Sequence, residues 1–342
     1  MSLGQPGTHS LPSKLAQASS HGFKGIELFI ADLDHLAATS FAGDTLAAAV
    51  HTRTLCASLN LTILCLQPFT FYEGLLDRSP ETQTALTTKL IHWLALAHAL
   101  STDIIQIPSN FLGANPSTGA ARTSPDPALI VADLRRAADL AAAQDPPVRV
   151  VYEALAWGDH VKRWEQSYEL VCAADRPNLG VCLDTFHILG LVYADPRVKD
   201  GVVAGGEVDL RQSLRRLRES VDPRKVFYVQ VVDGERLAAP LDARHEFFVE
   251  GRDARMCWSR NARLFACEED RGGYLPVLDV VKAFLDTGFA GWVSLELFSR
   301  SLADPAPGVP GEHARRGMVS WEKMHRRLGL YSEGSEAVMH RL

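Results

Sequence analysis

The sequence has no CxxC pair. Its six cysteines, Cys56, Cys65, Cys172, Cys182, Cys257 and Cys267, stand at spacings that fit neither a disulfide framework nor a thiolate zinc site. Several fall inside apolar patterns, where a buried free thiol in a reducing cytoplasm is the reading. Residues 1–12 are polar and lack the apolar stretch of a signal peptide. No run approaches the roughly 18 apolar residues of a membrane span. A basic surface is also lacking: the net charge is -6 with both signs interspersed, which weighs against a nucleic-acid partner. No GxGxxG follows the first strand pattern, which removes support for a dinucleotide-binding fold.

What is present is apolar content, 46% of 342 residues, enough for a sizeable core. It comes in short β-branched runs, each followed by a helical pattern. Seven runs read as strands: Gly25–Ile30, Leu61–Gln67, Asp103–Pro108, Val148–Leu155, Leu179–Phe186, Val226–Val232 and Trp292–Phe298. Helices are expected over Pro12–His21, Thr82–Leu100, Pro127–Gln144, Leu275–Asp286 and Glu312–Leu328. Within Thr82–Leu100, Leu86, Leu90, Leu94 and Ala97 recur at steps of three and four, giving one apolar face. Tyr193–Val208, Gly234–Gly273 and the Pro-rich Ser299–Gly311 read as long loops.

Alternating β and α with near-continuous apolar strands implies a parallel sheet covered by helices. An open doubly wound sheet and a closed barrel both satisfy this, and seven evenly spaced units favour a (β/α)₈-type TIM barrel. Such a barrel takes about 250 residues, more with insertions. The expected organisation is one catalytic domain over residues 1–330 and a tail over 331–342. Ser2–Gln5 lead straight to a helix, so the barrel is expected to lack its first strand.

In a barrel, alternate side chains point inward and chemistry sits where strands end. Late in four apolar strands stand Glu153, Asp184, Gln230 and Glu296. Three buried carboxylates together would protonate through desolvation and mutual repulsion unless a cation joined them. Three carboxylates and one amide oxygen suit a hard divalent ion, Mg²⁺, Mn²⁺ or a similar ion such as Co²⁺. One Glu in a strand is ordinarily a solvated edge residue; four such positions on four strands are harder to explain that way.

His187, three residues after Asp184, reads as a general base with a pKa near neutrality, or as a hydrogen-bonded structural histidine. Arg260 and Arg263 read as surface arginines or as a carboxylate clamp. Gly272–Gly273 reads as a turn or as backbone that a ligand approaches closely.

The segments YEALAWG (Tyr152–Gly158), CLDTFH (Cys182–His187), YVQVVDG (Tyr228–Gly234) and SLELF (Ser294–Phe298) resemble those of 3-dehydroshikimate dehydratases of the quinate-degradation type. These belong to the xylose-isomerase-like sugar phosphate isomerase/epimerase superfamily. HGFKGIELF, QPF with YEG, WSRNARLF, GGYLPV and EHARRGMVSWEK are similar to fungal-type members. The resemblance runs from about Ser2 to Leu330.

It implies the ligands Glu153, Asp184, Gln230 and Glu296, with Glu153 and Glu296 also counted as catalytic and His187 as the base. Arg260 or Arg263 would hold the substrate carboxylate. Tyr72 and Gln106 would line the pocket, or serve only as loop and core polar residues. The implied substrate is 3-dehydroshikimate, with neither nucleic acid nor membrane as partner. The implied chemistry is proton removal beside the ketone, loss of the β-hydroxyl as water and aromatisation to protocatechuate. A sugar isomerase or epimerase with the same ligands and an inactive barrel relative are the rival readings. A multi-zinc DNA-repair endonuclease would need more histidines at strand ends.

Overall fold

A computed structural model of the chain describes residues 2–330. The expected tail, 331–342, lies outside the described residues. Backbone contacts group the chain into two compact units. One comprises 26–58 and 62–182; the other comprises, among the described residues, 2–25, 59–61 and 183–330.

In the first unit the strands follow chain order: β1 (Gly25–Phe29), β2 (Thr62–Gln67), β3 (Ile104–Pro108), β4 (Arg149–Glu153) and β5 (Leu179–Asp184), whose last two residues pass into the second unit. Pairing is parallel, with Leu66 opposite Ile105, Pro108 opposite Glu153, and Glu153 opposite Cys182. β3 and β5 are buried at every position, which explains why their sequences do not alternate apolar with polar; β1 is mostly half-buried.

The helix Pro80–Leu100 starts where Ser79 Oγ accepts from the Thr82 N–H, with Pro80 in the first turn. It ends where Ser101 turns left-handed. Leu90 and Leu94 of its expected face are fully buried, each contributing about 1.5–3 kcal/mol. The helix Pro127–Ala142 is capped by Asp126, which accepts from the Ala128 N–H, and it buries Ile130, Leu134, Ala137 and Ala141.

In the second unit β6 (Val226–Gln230) pairs in parallel with β9 (Trp292–Ser294). A two-residue antiparallel ribbon joins β7 (Asp233–Gly234) to β8 (Arg263–Leu264). All seven expected strands form. Three expectations need correction. The last strand stops at Ser294, so Glu296 lies in the segment beyond it, where the Leu297 N–H turns to Ser2 Oγ at 2.9 Å. The run Leu179–Phe186 is a strand only to Asp184, which caps a helix, Thr185–Val192, that carries His187. The stretch 234–273 is not a loop throughout: Ala254–Ala262 is helical, begun by Asp253 accepting from the Arg255 N–H, and the ribbon follows.

Among the described residues no strand precedes Gly25. Residues 2–9 are instead tied to 297–304: the Gln5 N–H donates to Leu302 O at 3.0 Å, and His9 Nε2 donates to Asp304 O at 2.8 Å. No described helix is long and apolar enough to cross a membrane.

Candidate active site

The end of β5 and the segments after β6 and β9 supply one buried polar cluster in the second unit. Asp184 closes β5, and its Oδ1 accepts from the Phe186 N–H at 2.6 Å. Its Oδ2 accepts from Arg263 Nη1 at 2.8 Å. The same Nη1 donates to Glu296 Oε2 at 3.0 Å. Two carboxylates from separate elements therefore converge on one cationic nitrogen. Arg263 Nη2 stands 3.2 Å from His187 Nε2, and Arg263 Nε donates to Ser259 Oγ at 2.9 Å. The guanidinium also stacks over the Phe186 ring, 4.5 Å from its centre. Arg263 is 1% exposed. Gln230, the last residue of β6, is fully buried.

The backbone explains how Arg263 enters the core. Residues 233–234 pair with 263–264, and the Arg263 N–H donates to Phe298 O at 3.0 Å. The chain at Arg263 is thus fixed between the segments that follow β6 and β9. Thr185 fastens the other side: its hydroxyl donates to Val232 O at 2.7 Å and accepts from the Val232 N–H at 2.8 Å. Glu268 anchors the far end of the ribbon segment. It is buried, accepts two bonds of 2.7 Å from Arg316 and one from the Phe265 N–H.

The electrostatics follow from burial. Asp184 is pushed up to about 6 by desolvation, opposed by Arg263 and reinforced by Glu296. His187 is held well below its ordinary value, first by burial and then by the positive charges of Arg263 and Arg260. It is therefore a neutral imidazole at pH 7. A guanidinium can only donate, so His187 Nε2 carries the lone pair and Nδ1 the proton.

In the first unit Glu153 closes β4. Its Oε2 accepts from Gln106 Nε2 at 3.0 Å, so the Gln106 side chain is placed on a predicted ligand. Tyr72 is buried against Phe69, ring centres 5.5 Å apart, and its hydroxyl is pushed up to about 12 by burial.

Of the predicted residues in the second unit, Asp184, His187, Arg263 and Glu296 meet directly. Arg260 lies on the helix 254–262, over the Phe298 ring at 4.4 Å, where its charge acts on His187, and it lines a 380 Å³ cavity with Arg252 and Arg300. Gly272 makes the turn, and Gly273 forms an isolated antiparallel bridge with Glu235; a Cβ at Gly273 would lie 2.7 Å from Asp233 Oδ2, so the close approach is to Asp233. Sequence reasoning missed Ser259, whose only signal is its i,i+4 spacing from Arg263. It also missed Glu73 and Tyr152, whose bond joins residues too far apart in the chain for any local pattern to show.

The chemistry of the donors suits a hard cation. Asp184 and Glu296 already share one positive nitrogen, and Gln230 adds a buried amide. Carboxylate and amide oxygens are the donors that Mg²⁺ and Mn²⁺ take.

The profile of a family described as xylose isomerase-like TIM barrel matches residues 15–321. A 3-dehydroshikimate dehydratase of Neurospora crassa is 45% identical over 354 aligned positions, covering 100% of this chain and 96% of that protein. One from Pseudomonas aeruginosa is 33% identical over 85% of this chain, which spans only 36% of that longer protein. Among solved structures, a xylose isomerase-like TIM barrel/4-hydroxyphenylpyruvate dioxygenase fusion protein superposes with TM-score 0.71 at 27% identity. That match covers 96% of this chain and 42% of the fusion protein.

Proposed function

Because this chain belongs to the xylose isomerase-like TIM barrel family, we propose that it is a 3-dehydroshikimate dehydratase, a hydro-lyase releasing protocatechuate and water. Identity of 45% along its whole length to an enzyme of that name carries the choice of substrate. The buried cluster around Arg263 supports the chemistry.

Glu153, Asp184, Gln230 and Glu296 would hold one divalent ion, Mg²⁺, Mn²⁺ or Co²⁺. Glu153 pairs with Cys182 on the adjacent strand, and Asp184 is two residues further along that strand, on the same face as Cys182. The three carboxylates less the Arg263 charge leave a deficit that a doubly charged ion balances. When bound, the ion supplies Lewis-acid polarisation of the substrate ketone.

His187 takes the proton beside the ketone at Nε2, the atom that bears its lone pair. Its depressed basicity leaves Nε2 unprotonated at neutral pH, and the lone pair, which accepts from Arg263 Nη2, is freed when that guanidinium turns to the substrate carboxylate. The electrons of the broken C–H bond form the enolate, which expels the β-hydroxyl. The proton and hydroxide leave together as water, and tautomerisation completes the aromatic ring. Arg263 is the better clamp for the substrate carboxylate, since it lies against His187 whereas Arg260 faces another cavity. Glu296 shares Arg263 with Asp184 and so sets the direction of that guanidinium. A cytoplasmic enzyme acting on a small molecule, without nucleic-acid or membrane partner, completes the proposal.

The test is direct. Chelator-treated protein is incubated with 3-dehydroshikimate, with and without Mg²⁺, Mn²⁺ or Co²⁺, and protocatechuate is followed by its ultraviolet absorbance. Metal-dependent product formation is expected. Metal-loaded protein that leaves 3-dehydroshikimate intact, or isomerises a sugar instead, would overturn the assignment.

A further inference from the structure

Behind β4, on the opposite side of the strand from Glu153, lies a second buried carboxyl group that the mechanism above does not use. Glu73 follows β2 and is 2% exposed. Its Oε1 accepts from the Asn110 N–H at 2.6 Å and from the Tyr152 hydroxyl at 3.0 Å. Asn110 Nδ2 returns a bond to the Glu73 carbonyl at 3.0 Å. Glu73 Oε2 is buried with no hydrogen-bond partner among the described residues. Burial pushes the Glu73 carboxyl up to about 8, so it stands neutral at pH 7.

The neighbours of Glu73 lead to the end of β4. Tyr152 precedes Glu153 in the chain. Asn110 follows Ser109, whose N–H donates to Glu153 O at 2.7 Å and whose Oγ accepts from the Leu155 N–H at 2.9 Å. Ser109 fits closely there, since a Cβ at Gly158 would come within 2.6 Å of its Oγ. Gln106, on the strand leading to Ser109, holds the Glu153 carboxylate itself. The segment carrying Glu73 is anchored from behind: Asp133 Oδ2 accepts from the Gly74 N–H at 2.9 Å, and Asp133 takes two bonds from Arg78. One acceptor atom, Glu73 Oε1, therefore ties the loop after β3 and the last turn of β4 to a fixed point.

We propose that Glu73 is a positioning residue for Glu153: it holds Tyr152 and Asn110, and through them the direction in which Glu153 presents its carboxylate to a divalent ion. The inference rests on the metal-dependent dehydratase reading. It requires an acceptor oxygen at Glu73 and no negative charge. A glutamine supplies the same oxygen; an alanine supplies none.

The experiment measures Mn²⁺ dissociation constants of chelator-treated protein by calorimetry, without substrate, beside kcat, KM and melting temperature. Glu73→Gln is expected to match wild type within about twofold. Glu73→Ala is expected to weaken Mn²⁺ binding about tenfold, within the range for groups that orient metal ligands, and to lower kcat more than it raises KM. Tyr152→Phe removes one hydroxyl and keeps the packing. It is expected to weaken Mn²⁺ binding severalfold with little change in melting temperature, so the inference stays testable should the alanine variant unfold.

Wild-type Mn²⁺ affinity in Tyr152→Phe and in folded Glu73→Ala would overturn the positioning role. A Glu73→Gln protein as impaired as Glu73→Ala would overturn the neutral-acceptor role. Wild-type protein that binds no Mn²⁺ would overturn the dehydratase reading and this inference with it, and that failure shows before any variant is compared.

Discussion

Arg263 reaches Asp184 from 79 positions away in the chain, Nη1 to Oδ2 at 2.8 Å, with both side chains buried. A guanidinium this deep is stabilised chiefly by the acids it meets, and those acids are the ones assigned to the metal. The relationship cuts both ways. Arg263 neutralises the carboxylates before an ion arrives, and it stands ready for an anionic substrate beside His187. Arg263→Met should leave Asp184 and Glu296 as unbalanced neighbours and destabilise the metal-free protein by about 3–5 kcal/mol, seen in denaturant melts. Arg263→Lys should recover part of that stability while KM stays raised, because an ammonium cannot copy the planar fork. Arg260→Met should leave KM near wild type; a large rise there, with none in Arg263→Lys, would exchange the roles of the two arginines.

Replacing His187 by alanine separates proton transfer from ion binding. Kcat should fall by about 10²–10⁴-fold, the usual worth of a general base, while Mn²⁺ affinity measured by calorimetry changes little. Equal losses in both quantities would make His187 a ligand rather than a base.

Glu153→Ala should lose ion and turnover together. Metal content by atomic absorption and protocatechuate formation are the two readouts. A Glu153→Ala protein with full metal and wild-type turnover would remove Glu153 from the site.

Proton competition gives a pH dependence for the ion. A ligating carboxylate must be deprotonated. Asp184 is raised to about 6 in the metal-free protein, so affinity should fall as pH drops through that value and level off above it. Calorimetric titrations across this range test the slope. A flat profile would mean Asp184 does not bind the ion.

Glu73 predicts a trend in stability of the opposite sense. Its folded value, raised to about 8, lies above that of an ordinary carboxyl, so the folded protein retains a proton that the unfolded chain gives up. The stabilisation is complete below the ordinary carboxylate range and is lost as pH rises through about 8. Melting temperatures of wild type and Glu73→Gln, compared from about pH 5 to 9, should diverge in favour of the glutamine at the alkaline end. Parallel curves would show that Glu73 is ionised throughout. Asn110 and Tyr152 donate to this group and Asp133 repels its charge, so all three face the titration.

The strand ends were legible in the sequence because burial on both faces leaves a distinct mark. A charged or amide residue closing an apolar β-branched run has few explanations, and Glu153, Asp184 and Gln230 close β4, β5 and β6. Helix starts at Ser79-Pro80 and Asp126-Pro127 were legible for a similarly local reason, since cap and first turn lie within four residues. The tertiary structure alone decided the rest. Arg263 enters the core through a ribbon of two residues per strand, too short to show any periodicity. It, rather than Arg260 three positions earlier, meets Asp184 and Glu296. Glu73 and Tyr152 are 79 positions apart, and their bond exists only because a segment after β2 folds against β4. Local pattern records which residues must be buried; which buried groups then touch depends on long-range pairing, for which a single chain's sequence has no period to read.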